Sequence, residues 1–147
     1  MPLEDVAEQR LRHILDRLAA HGRRLTPQRM AILRVLAVSE GHPSAEHVHQ
    51  AILKDFPMTS LATVYKTIQL LKDEGEILEL GFSDQDNRYD GAKPYPHPHV
   101  ICLKCGAIMD FEDVDVEGLN AQVAKQTGFF ITTQRLDFYG VCPACRS

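Results

Sequence analysis

The sequence predicts an α+β protein with two domains, a helical domain that ends in a β-hairpin and a smaller α/β domain. Apolar residues recur at helical spacing as far as Gly75, and short apolar runs separated by turn residues follow it. A later stretch has the composition of a stiff connector, and its turn-forming residues are Gly91, Pro94, Pro96 and Pro98. We therefore expect a first domain over residues 1–89, a hinge over 90–98 and a second domain over 99–147.

The first two helices are indicated by their apolar stripes. The opening helix is predicted to end near Gly22, and its apolar residues are Leu11, Ile14, Leu15 and Leu18. Thr26 and Pro27 form a favourable cap and first-turn pair for the second helix, and Gly41 follows its end. The apolar stripe of this second helix consists of Met30, Leu33 and Leu36.

Two further helices follow, and each begins at a serine. Ser44 caps the third helix, which ends before Pro57. The fourth helix runs from near Ser60 to Gly75 and has one apolar and one polar face. Its apolar residues, spaced three, four and three apart, are Leu61, Val64, Ile68 and Leu71.

After Gly75 the pattern changes from helical to extended. Residues 77–82 and 88–89 are predicted strands, joined by a polar turn over 83–87. Three helices followed by a hairpin give the element order of a winged helix-turn-helix, whose final helix enters the major groove of DNA. Any other small helical domain with a terminal hairpin would have the same order, so topology alone favours neither.

The second domain is predicted to mix strands with one helix. Residues 99–103 and 107–111 are expected to be strands on either side of a Cys-Gly turn. Residues 116–126 are expected to form a helix, and residues 129–139 a long final strand.

The composition sets limits on location and partners. The 147 residues are 44% hydrophobic, enough for a folded core, and neither a signal peptide nor an apolar membrane span is apparent. We therefore expect a cytoplasmic protein without membrane contact. The net charge of the whole chain, -4, argues by itself against a nucleic-acid partner. The first quarter is rich in arginine, however, so any DNA contact is expected in the first half.

Two Cys-x-x-Cys pairs are the most specific chemical signal. Four thiolates in a tetrahedron form a closed structural zinc site, and the four residues are Cys102, Cys105, Cys142 and Cys145. Since 36 residues separate the pairs, the Zn²⁺ ion would join the chain terminus to an early hairpin of the same domain. A redox Cys-x-x-Cys site is the alternative, although such a pair is usually single and opens a helix.

A second cluster is predicted around a His-x-His pair. His97 and His99 are two residues apart in an extended segment, so they share one face, and Cys102 faces the other way. Asp90 and Asp110 flank this segment. Together these residues suggest a mixed nitrogen and oxygen site suited to iron, manganese or zinc.

The fourth helix carries candidate contacts to DNA. Its polar side chains could reach phosphates, and a tyrosine ring could pack on thymine methyl groups; the residues are Ser60, Thr63, Tyr65, Lys66 and Thr67. Arg23 and Arg24 are further candidates for phosphate or minor-groove contacts. Alternatively, the polar residues of the fourth helix form an ordinary solvated face, and Arg23 and Arg24 only contribute solubilising charge.

Together these segments resemble the ferric uptake regulator family of metal-dependent repressors over nearly the whole chain. The motifs that carry the resemblance are LTPQR at 25–29, HPSAE at 42–46, ATVY at 62–65, HPHVIC at 97–102, CG at 105–106 and YGVC at 139–142. The resemblance implies a homodimeric DNA-binding regulator, not an enzyme, with an N-terminal winged helix-turn-helix, a C-terminal α/β dimerisation domain and structural Zn²⁺ at the four cysteines. It also implies regulatory Fe²⁺ or Mn²⁺ at the hinge, held by His42, Asp90, His97, His99 and Asp110.

The two carboxylates suggest a branch of this family. Uptake regulators tend to have glutamate where this chain has Asp90 and Asp110, and aspartate at both positions resembles the peroxide-sensing branch. In that branch, iron-dependent oxidation of a histidine, here His42 or His97, releases DNA. The operator is expected to be palindromic and A/T-rich.

Several alternatives stay open at this point. Within the family, the chain could instead be an iron- or zinc-uptake regulator. A zinc-ribbon interaction module or a Cys-x-x-Cys redox enzyme would belong to a different class. A third metal site of the family is expected to be absent, because Pro96, Pro98 and Gln134 stand at its ligand positions and Glu117 alone remains.

Overall fold

The computed structural model describes residues 3–39, 41–81 and 86–146, and these form an α+β protein. The described helices are α1 Leu3–Ala20, α2 Pro27–Val38, α3 Ala45–Ile52, α4 Leu61–Asp73, α5 Val116–Thr127 and α6 Pro143–Arg146. The described strands are β1 Leu78–Leu80, β2 Arg88–Asp90, β3 His99–Cys102, β4 Ile108–Asp110 and β5 Asp137–Gly140. The chain divides into two compact units, Met1–Tyr95 and Pro96–Ser147, so the division falls within the predicted hinge.

Hydroxyl caps begin three helices of the first unit. The side chains of Thr26, Ser44 and Ser60 each accept a hydrogen bond, 3.2 Å long, from the backbone N–H three residues further on. Each cap satisfies an N–H group that lacks a partner within the helix. The predicted starts of α2, α3 and α4 are confirmed.

One apolar core holds the first unit together. It includes Ile14 and Leu18 of α1, Leu33 of α2, Val48 of α3 and Leu71 of α4, all completely buried. The predicted stripe of α2 is wrong at one residue, because Met30 is 42% exposed. Each step of three residues falls about 60° short of a full helical turn, so Met30 drifts off the face that contains Leu33.

Strands β1 and β2 form an antiparallel pair, with Leu78 opposite Asp90. Phe82 and residues 83–85 of the predicted hairpin lie outside the described residues. Strand β2 also pairs with the segment before α3, since the N–H of Tyr89 donates to the carbonyl oxygen of Pro43 at 3.0 Å. Ser44 and Arg88 form a bridge there. The end of the hairpin is therefore fixed beside His42.

The second unit contains a three-stranded sheet in the order β4-β3-β5. Strand β3 is antiparallel to β4 and parallel to β5. The prediction of one strand over residues 129–139 is wrong in its first part, because only Asp137–Gly140 forms a strand and residues 129–135 have no ladder partner within the described chain. Helix α6 was not predicted, since four residues are too few for a periodic pattern.

The described helices include none that is both long and apolar enough to cross a membrane.

Candidate metal centres and nucleic-acid interface

Four cysteine sulfur atoms converge in the second unit. Cys102 ends β3, Cys105 lies in the following turn, Cys142 follows β5 and Cys145 lies in α6. All four sulfur atoms lie within 4.8 Å of one another, and the Sγ atoms of Cys105 and Cys142 are 3.8 Å apart. A tetrahedron with zinc–sulfur bonds of about 2.3 Å has sulfur–sulfur edges of about 3.8 Å. The geometry therefore fits Zn²⁺.

The backbone around this cluster favours thiolate at one cysteine. The N–H groups of Cys105 and Cys142 point at Sγ of Cys102, at 3.5 and 3.3 Å, and these bonds lower the pKa of Cys102 to about 6. Hydrogen bonds to the sulfur atoms of Cys142 and Cys105 raise the pKa of Cys145 to about 12. Four adjacent thiols resist complete ionisation on their own, so a divalent cation would be needed to hold them all as thiolates.

The second unit also brings two imidazoles to one carboxylate. Register between β3 and β4 sets His99 opposite Asp110, and His97 lies just before β3. The Nε2 atoms of His97 and His99 are 3.0 and 3.6 Å from the same Oδ1 of Asp110. The two rings are 4.4 Å apart between centroids. His97 and His99 therefore share one side of the sheet, as the spacing predicted.

Asp137 is a further member of this cluster that sequence reasoning missed. Its Oδ1 lies 3.7 Å from Nδ1 of His99, whereas the other ring nitrogen, Nε2, lies near Asp110. The parallel register between β3 and β5 aligns the two residues. No local sequence signal fixes a register between strands so far apart in the chain, although an acidic residue in the last predicted strand could have been considered.

The first unit brings together His42 and Asp90. Nδ1 of His42 lies 3.6 Å from Oδ2 of Asp90, and both side chains are 1% exposed. His42 has a φ of 52°, a left-handed conformation that is uncommon for residues other than glycine. The guanidinium of Arg88 donates to the carbonyl oxygens of His42 and Gly41 and so supports this turn. Strained backbone of this kind occurs often at functional sites.

The orientation of Asp90 is set by its own backbone. Its Oδ1 accepts hydrogen bonds from the N–H groups of Ala92 and Lys93, at 3.0 and 2.8 Å. This is an Asx turn, which leaves Oδ2 on the side of His42. Imidazole nitrogen and carboxylate oxygen are donors that suit Fe²⁺, Mn²⁺ or Zn²⁺, so the chemistry of each half of the predicted hinge site fits such a metal.

Helix α4 exposes only part of its predicted DNA-contacting set. Tyr65 and Lys66 are exposed, and the hydroxyl of Tyr65 donates to Glu46 at 3.0 Å, which raises the pKa of Tyr65. The hydroxyl of Ser60 serves as the helix cap. The interpretation of Thr67 as a groove contact is wrong, because Thr67 is fully buried and its hydroxyl donates to the carbonyl oxygen of Thr63 at 2.9 Å.

Much of the arginine in the first unit is neutralised internally. Nε of Arg23 lies 3.1 Å from Oε1 of Glu74. His21 contacts the other oxygen of the same carboxylate. Arg24 is exposed, and its carbonyl oxygen accepts a hydrogen bond from Arg29. Arg24 is therefore more available to a phosphate than Arg23.

A polar cavity of about 500 Å³ lies in the second unit, beside the start of α5. Its lining includes Pro96, Glu117 and Gln134, three of the four positions considered for a third metal site. The other lining residues are Val114, Asp115, Val116, Asn120, Thr132 and Thr133.

The chain is similar to known proteins along most of its length. The profile described as the ferric uptake regulator family matches residues 20–139. The peroxide-responsive repressor PerR of Staphylococcus aureus is 38% identical over 139 residues, which is 95% of this chain and 93% of that protein.

Two solved structures are similar over nearly the whole chain. The ferric uptake regulator Fur of Helicobacter pylori, described as having three functional metal binding sites, has a TM-score of 0.77 at 28% identity, covering 100% of this chain and 95% of that one. PerR from Streptococcus pyogenes, described in terms of peroxide sensing and gene regulation, has a TM-score of 0.53 at 37% identity, covering 92% of both chains.

Proposed function

This chain belongs to the ferric uptake regulator family, and on that premise we propose that it is a metal-dependent, DNA-binding transcriptional repressor that senses peroxide. The observation that carries the proposal is the pair of histidine–aspartate clusters, one in each unit. Both contain aspartate, and the relative that is 38% identical is a peroxide-responsive repressor. Repression would occur in the cytoplasm.

The regulatory metal site would combine residues of the two units. The first unit supplies His42 and Asp90, whereas the second supplies His97, His99 and Asp110. A metal bound by residues from both sides of the hinge favours the arrangement in which all of them bind it. Because that arrangement also sets the spacing of two DNA-binding helices, metal binding and DNA binding are coupled in free energy.

Fe²⁺ held by these residues would supply the one-electron redox chemistry that activates hydrogen peroxide. In the overall reaction the O–O bond breaks, one oxygen atom bonds to an imidazole carbon in place of its hydrogen, and the other oxygen atom leaves as water. The imidazole is thereby oxidised by two electrons and the peroxide is reduced. His42 and His97 are the residues proposed to be oxidised. His42 starts from a strained backbone conformation, and its ring is enclosed beside Asp90, so an added oxygen cannot be accommodated without displacing a neighbour. The metal-bound arrangement is then lost, and the DNA is released.

Homodimerisation would occur through the second unit. Helix α5 has no buried residue, and Phe129 and Phe130 are 71% and 90% exposed. Strand β5 adds Phe138 and Tyr139, which are also exposed. Apolar surface of this extent on one small unit is typical of an interface between subunits.

The first unit would bind DNA as a winged helix-turn-helix. In this proposal α4 lies in the major groove, with Tyr65 and Lys66 as contacts, and the β1–β2 hairpin is the wing. Ser60, Thr63, Arg23 and Arg24 are further proposed contacts. Two copies related by a two-fold axis would recognise a palindromic, A/T-rich operator.

Mass spectrometry after mild peroxide treatment tests this function. Zinc-loaded protein is supplied with either Fe²⁺ or Mn²⁺, and its binding to a duplex selected from random DNA by the Mn²⁺-loaded protein is measured in parallel. We expect one added oxygen on His42 or His97, and loss of DNA binding, with Fe²⁺ only. Exposed His47 serves as the internal control and should stay unmodified.

The second candidate function is that of an iron- or zinc-uptake regulator, which is favoured by the similarity to the Fur protein of Helicobacter pylori. That function predicts metal-dependent DNA binding without oxygen gain. A His42→Ala variant that binds the selected duplex as tightly as the metal-loaded wild type would contradict the hinge-site mechanism on which both candidate functions depend.

A further inference from the structure

Arg10 of α1 has three acceptors within the first unit. Its Nε donates to the carbonyl oxygen of Gly91 at 2.7 Å, and one terminal nitrogen donates to the carbonyl oxygen of Glu76 at 2.8 Å. The other terminal nitrogen lies 2.7 Å from Oε2 of Glu76, and the two side chains are 14% and 3% exposed. A planar guanidinium held in this way has one orientation, so Arg10 fixes the Gly91 peptide relative to α1.

Gly91 also packs closely against the backbone of α2. A Cβ atom added there would lie 2.9 Å from the carbonyl oxygen of Leu36 in α2, which is too close for any other residue type without movement. Gly91 and the peptide that joins it to Ala92 are therefore confined between the guanidinium of Arg10 and the backbone of α2.

This confinement affects the carboxylate of Asp90. Oδ1 accepts from the N–H groups of Ala92 and Lys93, and the chain reaches those groups through Gly91. A shift of the Gly91 peptide would move both donors and rotate the carboxylate. The direction of Oδ2, which lies 3.6 Å from Nδ1 of His42, thus depends on a hydrogen bond from α1.

We propose that Arg10 is a positioning residue of the regulatory metal site, which acts by holding the Gly91 carbonyl and so orienting the Asp90 carboxylate towards His42. This inference rests on the proposed function, because it requires Asp90 to bind the regulatory metal. Partners that orient metal ligands commonly change metal affinity by about 10- to 100-fold when they are removed. By linkage, a metal bound at Asp90 stabilises the attachment of α1 by the same factor.

Arg17 provides a matched control. It lies on the same helix, and one terminal nitrogen is 3.0 Å from Oε1 of Glu76, the carboxylate that Arg10 also contacts. Within the described part of the chain, Arg10 is bonded to Gly91 and Arg17 is not. Arg10→Gln and Arg17→Gln therefore remove the same charge beside Glu76, and only the first removes the bond to Gly91.

The experiment titrates Mn²⁺ into zinc-loaded wild type, Arg10→Gln and Arg17→Gln, and records the absorption spectrum of Co²⁺ in the same proteins. We expect Arg10→Gln to weaken Mn²⁺ binding by about 10- to 100-fold and to change the Co²⁺ bands, which report ligand geometry. Arg17→Gln should keep the wild-type affinity and spectrum. Unchanged values in Arg10→Gln, or equal losses in the two variants, would overturn the proposal.

Arg10→Lys is a second test that applies if Arg10→Gln does not fold. Lysine keeps the positive charge beside Glu76, but a single ammonium cannot reproduce the fork that reaches three acceptors. We expect Arg10→Lys to fold and still to bind Mn²⁺ more weakly than wild type, and wild-type affinity in this variant would overturn the proposal.

Asp90→Asn distinguishes a failure of the regulatory metal site from a failure of the role of Arg10. If Asp90→Asn binds Mn²⁺ as tightly as wild type, the regulatory site itself is wrong, and the role of Arg10 fails with it. If Asp90→Asn loses Mn²⁺ while the Arg10 variants do not, only the role of Arg10 is overturned.

Discussion

Oδ1 of Asp137 lies 3.7 Å from Nδ1 of His99, on a parallel strand where the two residues are in register. A carboxylate beside Nδ1 favours the tautomer with its proton there and leaves Nε2, on the side of Asp110, to bind a metal. Arg135 donates to the other oxygen of Asp137 at 2.7 Å and helps to hold it.

We therefore expect Asp137→Asn to weaken Mn²⁺ binding by about 10- to 100-fold, because an amide supports His99 less well than a carboxylate. Calorimetric titration of zinc-loaded protein measures this. Asp113→Asn, an exposed position with the same charge change, is the control. Equal affinities in the two variants would show that Asp137 does not support the site.

Replacement of Cys142 should remove the structural zinc. Cys142 contributes a thiol to the cluster, and its N–H donates to Sγ of Cys102, so Cys142→Ser loses one ligand of the proposed tetrahedron. Binding of structural Zn²⁺ to zinc-finger peptides has an apparent free energy of roughly 10–16 kcal/mol, and loss of a contribution of this kind should unfold the second unit. Zinc content per chain and circular dichroism test this. Asp110→Asn should retain one zinc, and a Cys142→Ser variant with full zinc content would contradict the assignment.

Phe130→Asp should convert a dimer into monomers. Phe130 is 90% exposed and lies in the proposed interface. An aspartate at this position would bury an unpaired charge on dimerisation, and its desolvation is costly. Sedimentation velocity measures the oligomeric state. Met58, 94% exposed in the first unit, provides the control Met58→Asp, which should remain dimeric. A Phe130→Asp protein that sediments like wild type would exclude this surface.

Acid stability should depend on Glu74. A hydrogen bond with His21, and another with Arg23, lower the pKa of Glu74 below its ordinary value of 4.5. A carboxyl with a lowered folded pKa contributes stability that is present above its unfolded pKa and is lost as the pH falls through the folded pKa. Glu74→Gln should therefore lower the melting temperature at neutral pH and flatten its fall below pH 4.5. Asp73→Asn is the control, and parallel pH profiles of Glu74→Gln and wild type would refute the prediction.

Lys66→Ala should weaken DNA binding through the phosphates. Lys66 is exposed on α4, and the loss of one phosphate contact reduces the magnitude of the negative slope of log affinity against log salt concentration by about one. Fluorescence anisotropy at several salt concentrations measures the slope. The control Lys54→Ala, outside α4, should leave this slope unchanged. The same slope in wild type, Lys66→Ala and Lys54→Ala would show that Lys66 does not contact the phosphates.

The unequal success of the sequence-based predictions follows from the range of the interactions involved. The caps at Thr26, Ser44 and Ser60 were predictable because each is complete within four residues. The burial of Thr67 was not, since a threonine on the edge of an apolar stripe faces solvent or core according to what packs on it. The final strand was predicted too long because strand propensity supplies no partner, and a ladder needs one.

By itself, the sequence determined the two Cys-x-x-Cys pairs, the His-x-His pair and the order of the helices and strands as far as β5, since each depends on residue type and short spacing. Only the tertiary structure decided that Asp137 lies beside His99 and that Arg10 reaches the carbonyl of Gly91. The physical reason is that these contacts depend on strand register and helix packing between segments far apart in the chain, which residue type and short spacing do not encode.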